Sequence, residues 1–121
     1  MDVHGGRGST CLEVLIAQTE HAAERGLQDF RCPTVRNGMV FPTPSGRPGQ
    51  IAMWMGDSPG VKCPLAIIWV GVDSRVVAIK SPVMPTNRST YTYRAAFVLE
   101  TSPALVEQID LRVGDLVYVV D

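Results

Sequence analysis

Four carboxylates at strand ends and turns are the residues of this sequence best suited to chemistry. Asp57, Asp73, Glu100 and Asp115 all occupy such positions, where active-site groups often gather because loops carry function. Aspartates in turns more commonly serve the turn itself, whereas Glu100 ends an otherwise apolar strand. A structural role is favoured for each, but Asp57 and Glu100 are candidates for acid–base work if the fold brings them into one cleft.

The segment Ile51–Asp57, with the sequence Ile-Ala-Met-Trp-Met-Gly-Asp, is the most distinctive in the chain. Side chains alternate faces along a strand, so Met53 and Met55 share one face and Trp54 takes the other. An outward Trp54 would be core covered by a loop, which is favoured, or part of an interface or a pocket wall. A ligand site here would use these residues, with the last two as polar anchors: Trp54, Met55, Asp57, Arg94 and Glu100.

Other site chemistries find little support in the residue types and their spacing. His4 and His21 stand far apart, and no glycine-rich phosphate loop or serine nucleophile elbow occurs. The three cysteines, Cys11, Cys32 and Cys63, are an odd number without a CxxC pair, which argues against a disulfide framework and a zinc knuckle. We therefore expect three partly buried thiols, no metal, no cofactor and no catalytic residue.

The length, composition and net charge of the chain favour some classes of protein and argue against others. At 121 residues, with 45% hydrophobic and 19% charged residues, the chain fits one globular domain. A net charge of −1 argues against a nucleic-acid partner, because phosphate binding needs a basic excess. The longest apolar run, residues 64–72, is about half of a membrane span, and residues 1–8 hold no apolar segment typical of a secretory signal. These features predict a cytoplasmic protein without a membrane partner.

Short strands separated by Pro- and Gly-rich turns must position these residues. Residues 1–10 are expected to form a flexible tail, and residues 11–121 a single β-rich domain. Two short helices are expected, near residues 20–25 and 103–109. The pattern predicts a mainly β fold, a sandwich, jelly-roll-like or partly open barrel. The predicted strands are 12–16, 39–41, 51–55, 65–72, 75–80, 91–99 and 116–120.

Several short motifs, in this order, resemble the family known as domain of unknown function 192 (DUF192). The resemblance covers roughly residues 12–120 and implies a compact β-sandwich or jelly-roll-like domain with short helices. It implies no activity, so no catalytic residue is carried over. The motifs are Glu24-Arg25-Gly26-Leu27, Gly38-Met39-Val40-Phe41, Met53-Trp54-Met55, Cys63-Pro64-Leu65, Asp73, Val98-Leu99-Glu100 and Val113-Gly114-Asp115.

The chain also departs from the pattern of the family it resembles. Gly56-Asp57 stands where Lys-Asn is common, Ala66 stands where an Asp follows Pro-Leu, and Ser74 replaces a hairpin glycine. Members commonly carry an export signal or membrane anchor, and this sequence shows neither. A polar site built from those family residues would be largely altered in this chain.

Three functions follow from these observations. The favoured one is a non-catalytic module that binds a small ligand or peptide around Trp54. The next is a structural or interaction protein, a homodimer joined through an exposed strand or the Trp54 face. The third is an enzyme that uses carboxylates such as Asp57 and Glu100, which requires the two to converge.

Overall fold

A computed structural model of the protein describes residues 1–17, 32–43, 47–55 and 61–120. Within these ranges the chain forms ten strands and one helix, so the predicted mainly β class is confirmed. The elements are β1 (Asp2–Gly5), β2 (Gly8–Cys11), β3 (Glu13–Ile16), β4 (Asn37–Pro42), β5 (Gly49–Met53), β6 (Leu65–Val70), β7 (Val76–Val83), β8 (Tyr91–Ala95), β9 (Phe97–Thr101), α1 (Pro103–Ile109) and β10 (Leu116–Tyr118).

A five-stranded sheet in the order β3-β4-β9-β6-β7 lies at the centre of the fold. The β3–β4 pair is parallel and the other pairs are antiparallel. The β5–β8 ribbon packs on one face of this sheet. A three-stranded sheet, β10-β1-β2, and α1 pack on the other face. The central sheet is therefore covered on both sides, which is why all six residues of β6 are buried.

Alternation along the central strands divides the core into two clusters. On β6, Ile67 and Trp69 face the ribbon, whereas Ile68 and Val70 face α1 and the three-stranded sheet. The cluster under the ribbon, here called the ribbon-side core, contains sulfur and aromatic side chains. The cluster under α1, here called the helix-side core, is almost entirely aliphatic.

The helix α1 has clear sequence reasons for its bounds. The Ser102 hydroxyl accepts a hydrogen bond from the Ala104 amide at 3.2 Å, and Pro103 occupies the first turn, where it loses no hydrogen bond. Asp110 ends the helix in the left-handed conformation, with φ of 52°. Leu105 and Ile109, four residues apart, place their side chains in the helix-side core. The second predicted helix is thereby confirmed, and the first, near residues 20–25, lies outside the described residues.

The expected loose tail over residues 1–10 is wrong, because these residues form β1 and most of β2. β1 pairs with β10 as well as with β2, and Val3 is fully buried in the helix-side core. The reason is nonlocal: a glycine-rich segment of low strand propensity is held by pairing with a strand more than 100 residues away. Local composition gave no sign of that partner.

Two further expectations need correction. Cys32 and Cys63 form a disulfide, with their Cα atoms 5.9 Å apart, and Cys11 is a free, exposed thiol. The odd cysteine count therefore reflected one pair and one spare thiol.

The single strand expected over residues 91–99 is broken at Ala96, where the chain leaves the ribbon as β8 and enters the central sheet as β9.

Candidate functional site

One row of side chains crosses the ribbon-side face of the central sheet from edge to edge. The register pairs Leu15 with Met39, Met39 with Glu100, Glu100 with Ile67, and Ile67 with Lys80. Cross-strand partners project from the same face, so this row sets a carboxylic acid in the centre of an apolar surface. The five residues of the row, in sheet order, are Leu15, Met39, Glu100, Ile67 and Lys80.

Glu100 is the unusual member of the row. Its side chain is only 2% exposed, and no hydrogen bond or ion pair joins its carboxylate to another residue of the described ranges. Desolvation by burial raises the pKa of the Glu100 carboxyl from 4.5 to about 8. At neutral pH it is therefore mostly protonated, and it offers one O–H donor together with its acceptor oxygens.

The exposure of the row changes from its centre to its β3 end. Glu100, at the centre of the row, is 2% exposed and Met39 is 3% exposed. Leu15, at the β3 end, is 52% exposed. The row therefore runs from a buried centre to an exposed side chain on β3.

The ribbon supplies an aromatic wall to the same face. Trp69 packs edge-on against Tyr93, with ring centroids 4.9 Å apart, and its indole N–H donates to the Ile51 carbonyl at 2.9 Å. The Lys80 ammonium lies 5.2 Å from the centroid of the Tyr91 ring and 5.8 Å from that of Tyr93. The ribbon is thus fixed to β6 by a hydrogen bond and to β7 by cation–π contacts.

The structure separates the residues of the sequence-predicted site. Met55 is fully buried and Met53 nearly so, both in the ribbon-side core, and Trp54 points outward, so the alternation is as expected. Trp54 is 40% exposed, which makes the favoured interpretation of loop-covered core wrong. Arg94 is exposed opposite Gln50 on the ribbon. Asp57 lies outside the described residues.

The predicted residues therefore fall into two groups. Trp54 and Arg94 share the outer face of the ribbon, but four strand positions, roughly 13 Å, separate them along it. Met55 and Glu100 belong to the covered side of the ribbon. Sequence reasoning found Glu100 but missed Met39, Lys80 and Leu15, whose place beside it depends on sheet register. The only local signal was the charged end of the Val98-Leu99-Glu100 strand.

A metal centre finds no support in the geometry of the described ranges. No three His, Cys, Asp or Glu side chains there come together to hold an ion. His4 is engaged elsewhere, since its Nε2 atom lies 3.0 Å from the Tyr118 hydroxyl and its ring stacks on that tyrosine. No helix within those ranges is long and apolar enough to cross a membrane.

Two solved structures resemble the whole fold. One is a protein of unknown function from Novosphingobium aromaticivorans DSM 12444, with 26% identity, a TM-score of 0.83, and 95% of this chain and 80% of that chain covered. The other is described as a candidate transcription regulator from Sinorhizobium meliloti 1021, with 23% identity, a TM-score of 0.82, and 95% and 88% covered. At 23% identity the second likeness is evidence for the fold alone.

The family model gives the same picture over nearly the full length of the chain. No match to a curated protein was found. The model of DUF192, described as an uncharacterized ACR, matches residues 3–119. The motifs from Gly38-Met39 to Val113-Gly114-Asp115 lie within that match. The chain therefore belongs to the DUF192 family.

Proposed function

We propose that this protein is a non-catalytic binding module that takes a small ligand on the ribbon-side face of its central sheet. Glu100 is the polar anchor of that site, and Met39, Ile67 and Met55 are its apolar surroundings. The observation that carries the proposal is a carboxyl group buried in the middle of an apolar row without a partner among the described residues.

The energetic cost of Glu100 supports a functional reason for its presence. Keeping its carboxyl neutral at pH 7, when its ordinary pKa is 4.5, costs about 3 kcal/mol of folding stability. Natural domains have only about 5–15 kcal/mol in total. A group that costs this much, and that none of the described residues pairs with, is typical of a site where stability is given up for binding.

A ligand screen by thermal shift tests the proposal. A compound that binds the folded chain raises its melting temperature by mass action, and Glu100→Gln should abolish that shift while the variant remains folded. Glu107→Gln is the matched control, because Glu107 is exposed on α1, across the sheet from the site. A screen without any stabilising compound, or a compound whose shift survives Glu100→Gln, contradicts the proposal.

A second candidate function is an interaction protein, a homodimer or a peptide binder, that uses the outer face of the ribbon. Trp54 favours it, because this exposed tryptophan lies on the same face as the exposed Arg94, roughly 13 Å from it, and both residue types are enriched in interfaces. The test is sedimentation at high protein concentration. A dimer that Trp54→Ala converts to a monomer supports this function, and a monomeric wild type excludes the homodimer.

A carboxylate-dependent enzyme stays a prediction, since Asp57 lies outside the described residues.

A further inference from the structure

We propose that the ligand anchored by Glu100 is a small organic cation, an alkylammonium group that pairs with the carboxylate inside the ribbon-side core. This inference rests on the proposed function and names its ligand class. Three features of the described structure carry it: the charges that face Glu100, the side chains around it, and the proton balance of the group.

Among the described residues, no countercharge lies within reach of Glu100 on its own face. Within those residues, the charged or titratable groups that face this side from the packed elements are Lys80 on β7 and Tyr91 and Tyr93 on β8. Lys80 stands two strands away in the row, so its Cα atom is roughly 10 Å from that of Glu100. Its ammonium is already placed over the two tyrosine rings. The part of the site formed by the described residues therefore has a carboxyl group and no cation paired with it.

The surroundings of Glu100 suit an alkylated cation better than a bare ion. The direct row neighbours of Glu100, Met39 and Ile67, are apolar, and Met55 is packed into the same cluster. These side chains would contact methyl or methylene groups and give few ligands to a hydrated metal ion. The aromatic wall of Tyr91 and Tyr93 already holds one ammonium, that of Lys80, which is the chemistry such a wall favours.

The protonation state of Glu100 makes the binding of a cation depend on pH in a way that the binding of a neutral or an anionic ligand does not. With a pKa of about 8, roughly one Glu100 carboxyl in ten is ionised at pH 7. A cation binds the ionised form, so the carboxyl loses its proton to solvent and the site stays neutral in total. Because most of the Glu100 carboxyl is protonated at pH 7, the apparent affinity for a cation is about tenfold weaker there than at high pH. An anion would meet either a neutral acid or a repelling carboxylate, and it gains nothing from ionisation.

Three probes of nearly the same shape test this inference: tetramethylammonium, tert-butanol and trimethylacetate, which carry positive, zero and negative charge. Binding to the full chain is followed by NMR titration between pH 6 and pH 9. Tetramethylammonium should bind best, and its apparent affinity should rise about tenfold from pH 6 to pH 7 and about tenfold again from pH 7 to pH 9. Glu100→Gln should remove both the binding and its pH dependence, and Glu107→Gln should retain them.

The outcomes distinguish this inference from the proposed function. If tert-butanol or trimethylacetate binds as well as tetramethylammonium and depends on Glu100, the cation inference is overturned and the binding site stands. If tetramethylammonium binds without pH dependence, or equally well to Glu100→Gln, the pairing with Glu100 is overturned. If none of the three probes binds, the cation inference is overturned, and the thermal-shift screen decides the proposed function independently.

Discussion

The two faces of the central sheet differ in the types of side chain that pack against them. The helix-side core is closed by α1 and by the β10-β1-β2 sheet, and its fully buried side chains are those of valine, leucine and isoleucine. The ribbon-side core contains Trp69, three buried methionines and, on the same face, the carboxyl group of Glu100. Within the described residues, its cover is a two-stranded ribbon rather than a sheet and a helix.

The two cores differ in how they contribute to the stability of the fold. Branched aliphatic side chains pack in few rotamers and contain no polar atoms, so the helix-side core contributes burial without a desolvation penalty. Methionine side chains adapt to changes in shape, and a buried acid lowers stability. The helix-side core thus stabilises the sheet without a buried charge, while the ribbon-side face includes a buried acid that lowers the stability.

The largest expected effect is on the ribbon side, where Glu100→Gln should stabilise the protein at high pH. Between pH 4.5 and about 8 the folded chain binds one more proton than the unfolded chain, so the wild type loses stability as pH rises through this window. The glutamine variant has no such loss. We expect its free energy of unfolding to exceed that of the wild type by as much as about 5 kcal/mol at pH 9.

Urea denaturation at pH 4 and pH 9 measures this difference. The two proteins should be nearly equal at pH 4, where Glu100 is protonated in both the folded and the unfolded state. Equal stabilities at pH 9 would show that Glu100 is not desolvated, and the contrast between the two cores would lose its main support.

The next effect concerns the disulfide, which joins the chain before β4 to the chain before β6. Cys63 packs against the ribbon-side core, so the link braces the side with the lighter cover. The two cysteines are 31 residues apart, and opening a loop of this length should cost about 3–4 kcal/mol. The measurement is thermal unfolding of a Cys32→Ser/Cys63→Ser double variant, with Cys11→Ser as control. An unchanged melting temperature in the double variant would mean that the link does not brace the fold.

The smallest effect tests the helix side. Ser102→Ala removes the side-chain acceptor for the Ala104 amide and should cost about 1 kcal/mol. Because α1 lies across the sheet from Glu100, ligand-induced thermal shifts should be the same size in this variant. A change in ligand binding after Ser102→Ala would show that the two cores are energetically coupled, and it would contradict the separate roles given to them here.

Sequence reasoning located the strands better than the site. β4, β6 and β7 follow from apolar runs between turn residues, and alternation alone places Met53 and Met55 on one face with Trp54 on the other. The neighbours of Glu100 do not, because Met39, Ile67 and Lys80 come from strands whose register is set by pairing between residues 13 to 61 positions apart. The same nonlocality hid β1 and the disulfide, whose partners are far away in the chain.

The position of β9 in the central sheet has a consequence for how the chain folds. Leu99 pairs with Val40 on one side and with Ile68 on the other, so the middle strand of the sheet follows both of its neighbours in the chain and is synthesised after them. Before β9 pairs with them, β4 and β6 each have one unpaired edge, and their residues are ones that the native fold buries. Unpaired apolar strand edges of this kind promote association between chains. The pairings that close the sheet are also long in sequence, which slows their formation. We therefore expect slow refolding and sensitivity to protein concentration, with the commitment to the native sheet made at residues 97–101.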